Sequence, residues 1–184
     1  MTQASDASLQ LDTDGWLNPS LRIASPNFDA RPEGTPVGLI VIHAISLPPG
    51  NFGGPAVPDF FTNKLDPSDH PYFADISGRR VSAHFFVRRD GQLIQFVSCL
   101  HRAWHAGFSC WKGTDRCNDF SIGIEMEGDD FSAFSAPQYA TLNALNTALC
   151  QHFPIRSIVG HNDIAPARKT DPGPYFDWHC IVTP

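Results

Sequence analysis

The longest unbroken apolar run in the chain is Gly38 to His43, G-L-I-V-I-H. With no polar position on either side, it has the pattern of a strand buried on both faces of a sheet. It ends at a histidine, where the loop A-I-S-L-P-P-G-N-F-G-G-P begins. Ser121 to Glu127, S-I-G-I-E-M-E, alternates at period two instead, so Glu125 and Glu127 share one face of a second strand. The segments V-S-A-H-F-F-V-R-R and Q-L-I-Q-F-V flank Asp90-Gly91 and predict a β-hairpin with a tight turn. From Ala136 to about Phe153 the period lengthens, with Tyr139, Leu142, Leu145, Leu149 and Phe153 forming an apolar stripe. Ser135 and Gln138 supply a capping box at its start, which predicts a helix packed on the sheet. Pro58 to Asn63 reads as a short helix, and Ser157 to Gly160 as a short strand that delivers His161. Residues 1 to 14 are polar and read as a flexible tail. No repeat, low-complexity tract or linker interrupts residues 1–184, which predicts a single domain.

Composition narrows the class. The 184 residues are 42% hydrophobic and 17% charged, values of a globular chain able to bury a core unaided. A formal net charge of -6 speaks against a nucleic-acid partner, because phosphate binding is driven by basic surface. The five cysteines (Cys99, Cys110, Cys117, Cys150, Cys180) are odd in number and lack CxxC spacing. That suits reduced thiols and a cytoplasmic location. Neither a signal peptide nor a segment long enough to cross a membrane is recognisable.

The densest polar chemistry lies in Val159 to Pro174, V-G-H-N-D-I-A-P-A-R-K-T-D-P-G-P. Pro166, Pro172, Gly173 and Pro174 keep it from being a regular helix or a central strand while it carries His161, Asp163, Lys169 and Asp171. Two histidines and a carboxylate are a known hydrolytic zinc set, and His43 with His161 supplies the histidines. Asp163 and Asp171 are both eligible as the third ligand, and spacing does not choose between them. The remaining histidines have plainer readings: His84 a satisfied core group, His105 structural or beside a ligand, and His70, His101, His152 and His179 surface or packing residues. Cys117 as a nucleophile fails for want of a neighbouring base.

Five blocks of the sequence carry a resemblance: V-I-H-A-I-S-L-P-P-G-N-F-G-G-P, V-S-A-H-F-F-V-R-R-D-G, R-A-W-H-A-G, R-C-N-D-F-S-I-G-I-E-M-E-G and G-H-N-D-I-A-P-A-R-K-T-D-P-G-P-Y-F-D-W. Together, from about Gly15 to Trp178, they resemble the zinc-dependent N-acetylmuramoyl-L-alanine amidases related to T7-type lysozyme and peptidoglycan recognition proteins. The resemblance implies an α/β fold with a single mixed central β-sheet flanked by α-helices. It implies one Zn2+ per chain held by His43, His161 and Asp171, with Glu125 and Lys169 as the catalytic pair. Arg80, Trp104 and Arg116 match positions of the substrate cleft. The implied reaction is hydrolysis of the amide between anhydro-N-acetylmuramic acid and the L-alanine of a stem peptide, in cytoplasmic cell-wall recycling. The implied partner is an anhydromuropeptide, with no nucleic acid, membrane or obligate protein partner. A non-catalytic recognition module on the same fold is the alternative, disfavoured because the ligand and catalytic positions are all filled. Where the family often has asparagine after the first histidine ligand, this chain has Ala44.

Overall fold

The computed structural model describes residues 9–182. Its centre is a six-stranded mixed sheet formed by Leu21–Arg22 (β1), Leu39–Ile45 (β2), Phe85–Val87 (β3), Leu93–Gln95 (β4), Ser121–Glu127 (β5) and Ser157–Gly160 (β6). The strand order is β6-β2-β5-β3-β4-β1. β5 runs parallel to both β2 and β3, β6 runs parallel to β2, and β3 and β4 form the antiparallel hairpin. Gly91 turns that hairpin at φ +87°, a conformation open to glycine at no steric cost. The hairpin strands are shorter than the sequence pattern predicts. Ser82 leaves the ladder, with its N–H donating to Trp104 O and its hydroxyl to Asn27 O. β2 runs two residues past His43, because Ala44 and Ile45 still pair with Met126 and Glu127.

Period-two alternation divides the sheet into two unlike faces. Ile40 and Ile42 of β2, Phe85 and Val87 of β3, and Ile122, Ile124 and Met126 of β5 form one buried cluster. It is covered by the helix Ala136–His152, which contributes Leu142, Leu145 and Leu149. Each of those leucines contributes about 1.5–3 kcal/mol on burial. The capping box is present as predicted, Ser135 Oγ accepting from Gln138 N and Gln138 Oε1 accepting from Ser135 N. The opposite face is shared by two smaller clusters. One lies under the helices Ala56–Phe61 and Pro71–Ile76, and the other joins Leu39 and Val41 to Val159 and Ile164. Between them β5 presents Ser121, Gly123, Glu125 and Glu127, all buried.

Three local departures from the sequence pattern have simple causes. The first short helix begins at Ala56 rather than Pro58, and Thr62 and Asn63 close it with N–H groups bonded to Pro58 O and Phe60 O. Residues 9–14, expected within a flexible tail, include Gln10–Leu11, which pair with Leu17–Asn18. Leu9 and Leu11 pack on the core, which holds this stretch; residues 1–8 of the expected tail lie outside the described residues. Arg31, in the proline-punctuated lead-in, is drawn inside, where its guanidinium donates to the carbonyls of Cys99, Asn118, Asp119 and Ser121. Burial lowers its pKa to about 10.

The sheet leaves no room over Gly123. A Cβ there would fall inside contact distance of the His105 ring, which is itself hemmed in by His43 and Ser121. Gly123→Ala is therefore expected to destabilise the protein by about 1–3 kcal/mol, read from the denaturation midpoint. A variant as stable as the parent would show that the His105 ring moves freely.

Candidate active site

The parallel strands β2, β5 and β6 end along one edge of the sheet, a favoured place for a site in α/β architecture. Register sets Glu125 of β5 directly beside His43 of β2. Gly160 of β6 lies opposite Ile42, so His161 follows alongside His43. There the chain makes a single helical turn, His161–Ile164, before the proline-rich loop. Asp163 Oδ2 accepts the Gly160 N–H at 2.7 Å, so this carboxylate serves the start of the turn. The loop then folds back, with Asn162 N donating to Asp171 O at 2.9 Å, and Asp171 returns to His161.

Three ligand atoms converge as a result. His43 Nδ1 and His161 Nδ1 are 2.9 Å apart, and Asp171 Oδ2 is 3.0 Å from His161 Nδ1 and 3.3 Å from His43 Nδ1. This trio is a possible metal site by its donor atoms, and Asp163 is not part of it. His161 Nε2 donates to Ala106 O at 3.1 Å, which leaves its Nδ1 as a lone pair facing the group. His43 Nε2 points away, 2.9 Å from His105 Nδ1. Tetrahedral nitrogen or oxygen ligands about 2.0–2.1 Å from a zinc ion stand about 3.3–3.4 Å apart, close to the spacing here.

The electrostatics match a buried polar cluster. Burial pushes the His43 imidazole down to about 4, against the opposing pull of the neighbouring Asp171 carboxylate, which favours the charged ring. Burial alone would raise Asp171, but the His161 and His43 rings against its carboxylate outweigh that and hold it below the usual carboxylate range. Burial, then the Asp171 charge, pushes the Glu125 carboxyl up to about 8, with the Lys169 ammonium pulling the other way. Glu125 Oε2 has no hydrogen-bond partner and is buried.

These groups open into a cleft of about 420 Å³, of the size that holds a small ligand. His43, Glu125, His161, Lys169, Asp171 and Trp104 all line it. Trp104 is fixed by its backbone, which exchanges hydrogen bonds with Ser82. Two sequence candidates lie elsewhere. Arg80 is exposed and outside the cleft lining, whereas its neighbour Arg79 lines it. Arg116 borders a separate depression beside Phe108 and Cys110, with its Nε 3.3 Å from Asp119. Its residue adopts φ +60°, which turns the chain into the short helical segment Cys117–Phe120.

Other residues of the site escaped the sequence reading. Glu127 accepts the N–H groups of Gly53 and Arg89, tying the loop after β2 and the hairpin turn to the end of β5. Thr170 Oγ1 donates to Asp130 Oδ2 at 2.6 Å, which pins the Lys169–Asp171 segment to the chain leaving β5. The only sequence signal for Glu127 was its place two residues after Glu125 on an alternating strand.

Residues 33–174 match the family described as N-acetylmuramoyl-L-alanine amidase. The chain belongs to this amidase family. The amidase is 51% identical to the 1,6-anhydro-N-acetylmuramyl-L-alanine amidase AmpD of Citrobacter freundii, over 93% of this chain and 94% of that protein. A crystal structure of selenomethionine AmpD superposes on the amidase with a TM-score of 0.90 at 52% identity, covering 92% of this chain and 96% of that one. The Escherichia coli amidase AmiD, in complex with anhydro-N-acetylmuramic acid-L-Ala-D-gamma-Glu-L-Lys, gives a TM-score of 0.56 at 27% identity, covering 94% of this chain and 63% of that one.

The raised Glu125 pKa makes stability depend on pH. The stability held by its neutral form is complete below the ordinary 4.5 and is lost as pH rises through about 8. His43 acts in the other direction: its contribution is held above 6.5 and lost as pH falls toward about 4. Between pH 6.5 and 8, the metal-free amidase should thus lose unfolding free energy by up to about 1.4 kcal/mol per pH unit. Glu125→Gln should flatten that slope in denaturant titrations, and equal slopes in the two proteins would refute the assignment.

Proposed function

We propose that this amidase uses zinc to hydrolyse the amide between (anhydro-)N-acetylmuramic acid and the L-alanine of peptidoglycan stem peptides. The observation that carries the reading is the convergence of three metal-ligating atoms beside a buried, partnerless carboxylate in one cleft. Its support is the likeness to AmpD and the anhydromuropeptide bound by AmiD. A recognition module would have no use for a complete ligand trio with a buried, unpartnered carboxyl beside it.

The donor set of two imidazoles and a carboxylate fits zinc, and His43, His161 and Asp171 would hold one ion per chain. When bound, zinc supplies a Lewis acid that acidifies water and polarises an amide carbonyl. Glu125 takes the proton that water loses as its oxygen attacks the carbonyl carbon. It then returns that proton to the alanine nitrogen as the carbon–nitrogen bond breaks. The products are a free peptide amine and the lactyl carboxylate. In the metal-free protein burial and the Asp171 charge raise the Glu125 carboxyl to about 8, and beside the charge of bound zinc it would fall again toward the ionised form that accepts a proton. Lys169, two residues before Asp171 and lining the same cleft, donates to the carbonyl oxygen as it becomes negative.

Trp104 offers an indole surface to the sugar ring. Arg79, on the cleft wall, is assigned to a stem-peptide carboxylate through the planar donor fork of arginine, whereas Arg80 and Arg116, expected in that role from the resemblance, stand outside the cleft lining and would meet only a peptide that extends beyond it. The residues 1–184 are read as a single amidase domain. No helix among the described residues is long and apolar enough to cross a membrane, and all five cysteines are free thiols. The thiols support a place in cytoplasmic wall recycling.

Purified protein should release free peptide from anhydromuramoyl-tripeptide, lose that activity on chelation and regain it with zinc. Glu125→Ala should lower kcat by about 10²–10⁴-fold while the protein still binds zinc by competition with a chromogenic chelator. Asp171→Ala should lose the metal as well as turnover. Activity that survives complete chelation, or zinc lost from Glu125→Ala, would overturn the assignment.

A further inference from the structure

The contact between His43 Nε2 and His105 Nδ1 joins two imidazole nitrogens, so by itself it does not say which one carries the hydrogen. The answer matters, because only one tautomer of His43 leaves Nδ1 with a lone pair toward His161 and Asp171. It lies two groups further along. Ser121 Oγ is 2.6 Å from Cys117 O, a distance two acceptors adopt only with a hydrogen between them. A carbonyl has none to give, so the Ser121 hydroxyl donates to Cys117 O. The same Oγ is 3.2 Å from His105 Nε2 and, its own hydrogen being committed, can only accept there. His105 therefore carries its hydrogen on Nε2 and offers Nδ1 as an acceptor, and His43 must donate from Nε2.

We propose that Ser121 and His105 form a relay, anchored on the Cys117 carbonyl, that fixes His43 in the tautomer whose Nδ1 lone pair faces the metal position. Both are positioning residues. Metal-ligating histidines gain affinity and orientation from a partner on the other ring nitrogen, and His161 obtains its own directly from Ala106 O. His43 is served instead through two side chains. The fold supports the arrangement from β5: Ser121 and Gly123 lie on the same face as Glu125, and the absent Cβ of Gly123 makes room for the His105 ring. His84, whose ring is also near His105, stands outside the relay. Its Nδ1 accepts from Gly123 N, so its Nε2 donates to His101 O.

The inference rests on the zinc reading for its purpose, and its test separates the two. In the metal-free parent, nitrogen-15 NMR of the imidazoles should show His43 protonated at Nε2 and bare at Nδ1, with His105 likewise protonated at Nε2. A His43 bare at Nε2 and protonated at Nδ1 overturns the relay whether or not zinc binds. Zinc affinity, measured against a chelator, should fall by about 10–100-fold in His105→Leu and in Ser121→Ala. His105→Asn, whose Oδ1 can stand where Nδ1 stood, should recover most of that loss. Wild-type affinity in His105→Leu, or equal losses in the leucine and asparagine variants, would reduce His105 to packing. A parent that binds no zinc while showing the expected tautomers would sink the metal reading and leave the relay standing.

Discussion

Three acceptor atoms, His43 Nδ1, His161 Nδ1 and Asp171 Oδ2, are held within 2.9–3.3 Å of one another, an arrangement that repels itself unless a cation or proton sits among them. Much of the architecture serves to hold it. β2 and β6 are neighbours and parallel, so their C-terminal ends bring the two histidines to one edge without any long excursion of the chain. Asp171 arrives by a different route, on a loop stiffened by prolines and tied by Asn162 N to Asp171 O and by Thr170 to Asp130. Each imidazole is turned by a bond on its far nitrogen. Rotation of either ring away from the group would leave that nitrogen unpaired in the interior.

The cost of such a cluster is offset on the other side of the same strands. Even-numbered positions of β2 and β5 pack under the long helix, where Leu142, Leu145 and Leu149 close the largest core cluster. Odd-numbered positions supply polar function: His43 on β2, and Ser121, Glu125 and Glu127 on β5. A one-residue slip of either strand would exchange these faces, burying the polar groups under the helix. The apolar face thus enforces the register that sets Glu125 beside His43.

Period and punctuation made much of this legible in the sequence. The apolar run ending at His43, the alternation in Ser121–Glu127, the hairpin about Asp90-Gly91 and the capped helix after Ser135 are local signals, and local physics decides them. The choice between Asp163 and Asp171 was not local. It depends on the loop folding back across ten residues, and family resemblance had to supply what spacing left open. The resemblance pointed to Arg80, yet its neighbour Arg79 lines the cleft, since a residue leaving a short helix can face either way until its turn is built. The link from Cys117 O through Ser121 and His105 to His43 joins residues brought together by sheet register, and no periodicity announces it. The pairing of residues 9–14 was missed because a polar stretch held by two leucines looks like a tail.

Charge poses a last physical question, because an acidic chain is asked to hold a peptide that carries carboxylates. The acidic residues around the cleft are largely committed within the protein. Asp129 accepts from Phe131 N and the Ser132 hydroxyl, Asp130 from Thr170, and Asp171 belongs to the proposed ligand set. Lys169 and Arg79 remain as cations on the cleft wall. With a net charge of -6, long-range attraction cannot gather an anionic substrate, and at physiological salt it would be screened beyond about 8 Å in any case. Recognition must then come from short-range, directional contacts made after encounter. In the proposed binding mode the Arg79 guanidinium and the Trp104 indole on the cleft wall would provide such contacts, which select for the shape of the ligand more than for its charge.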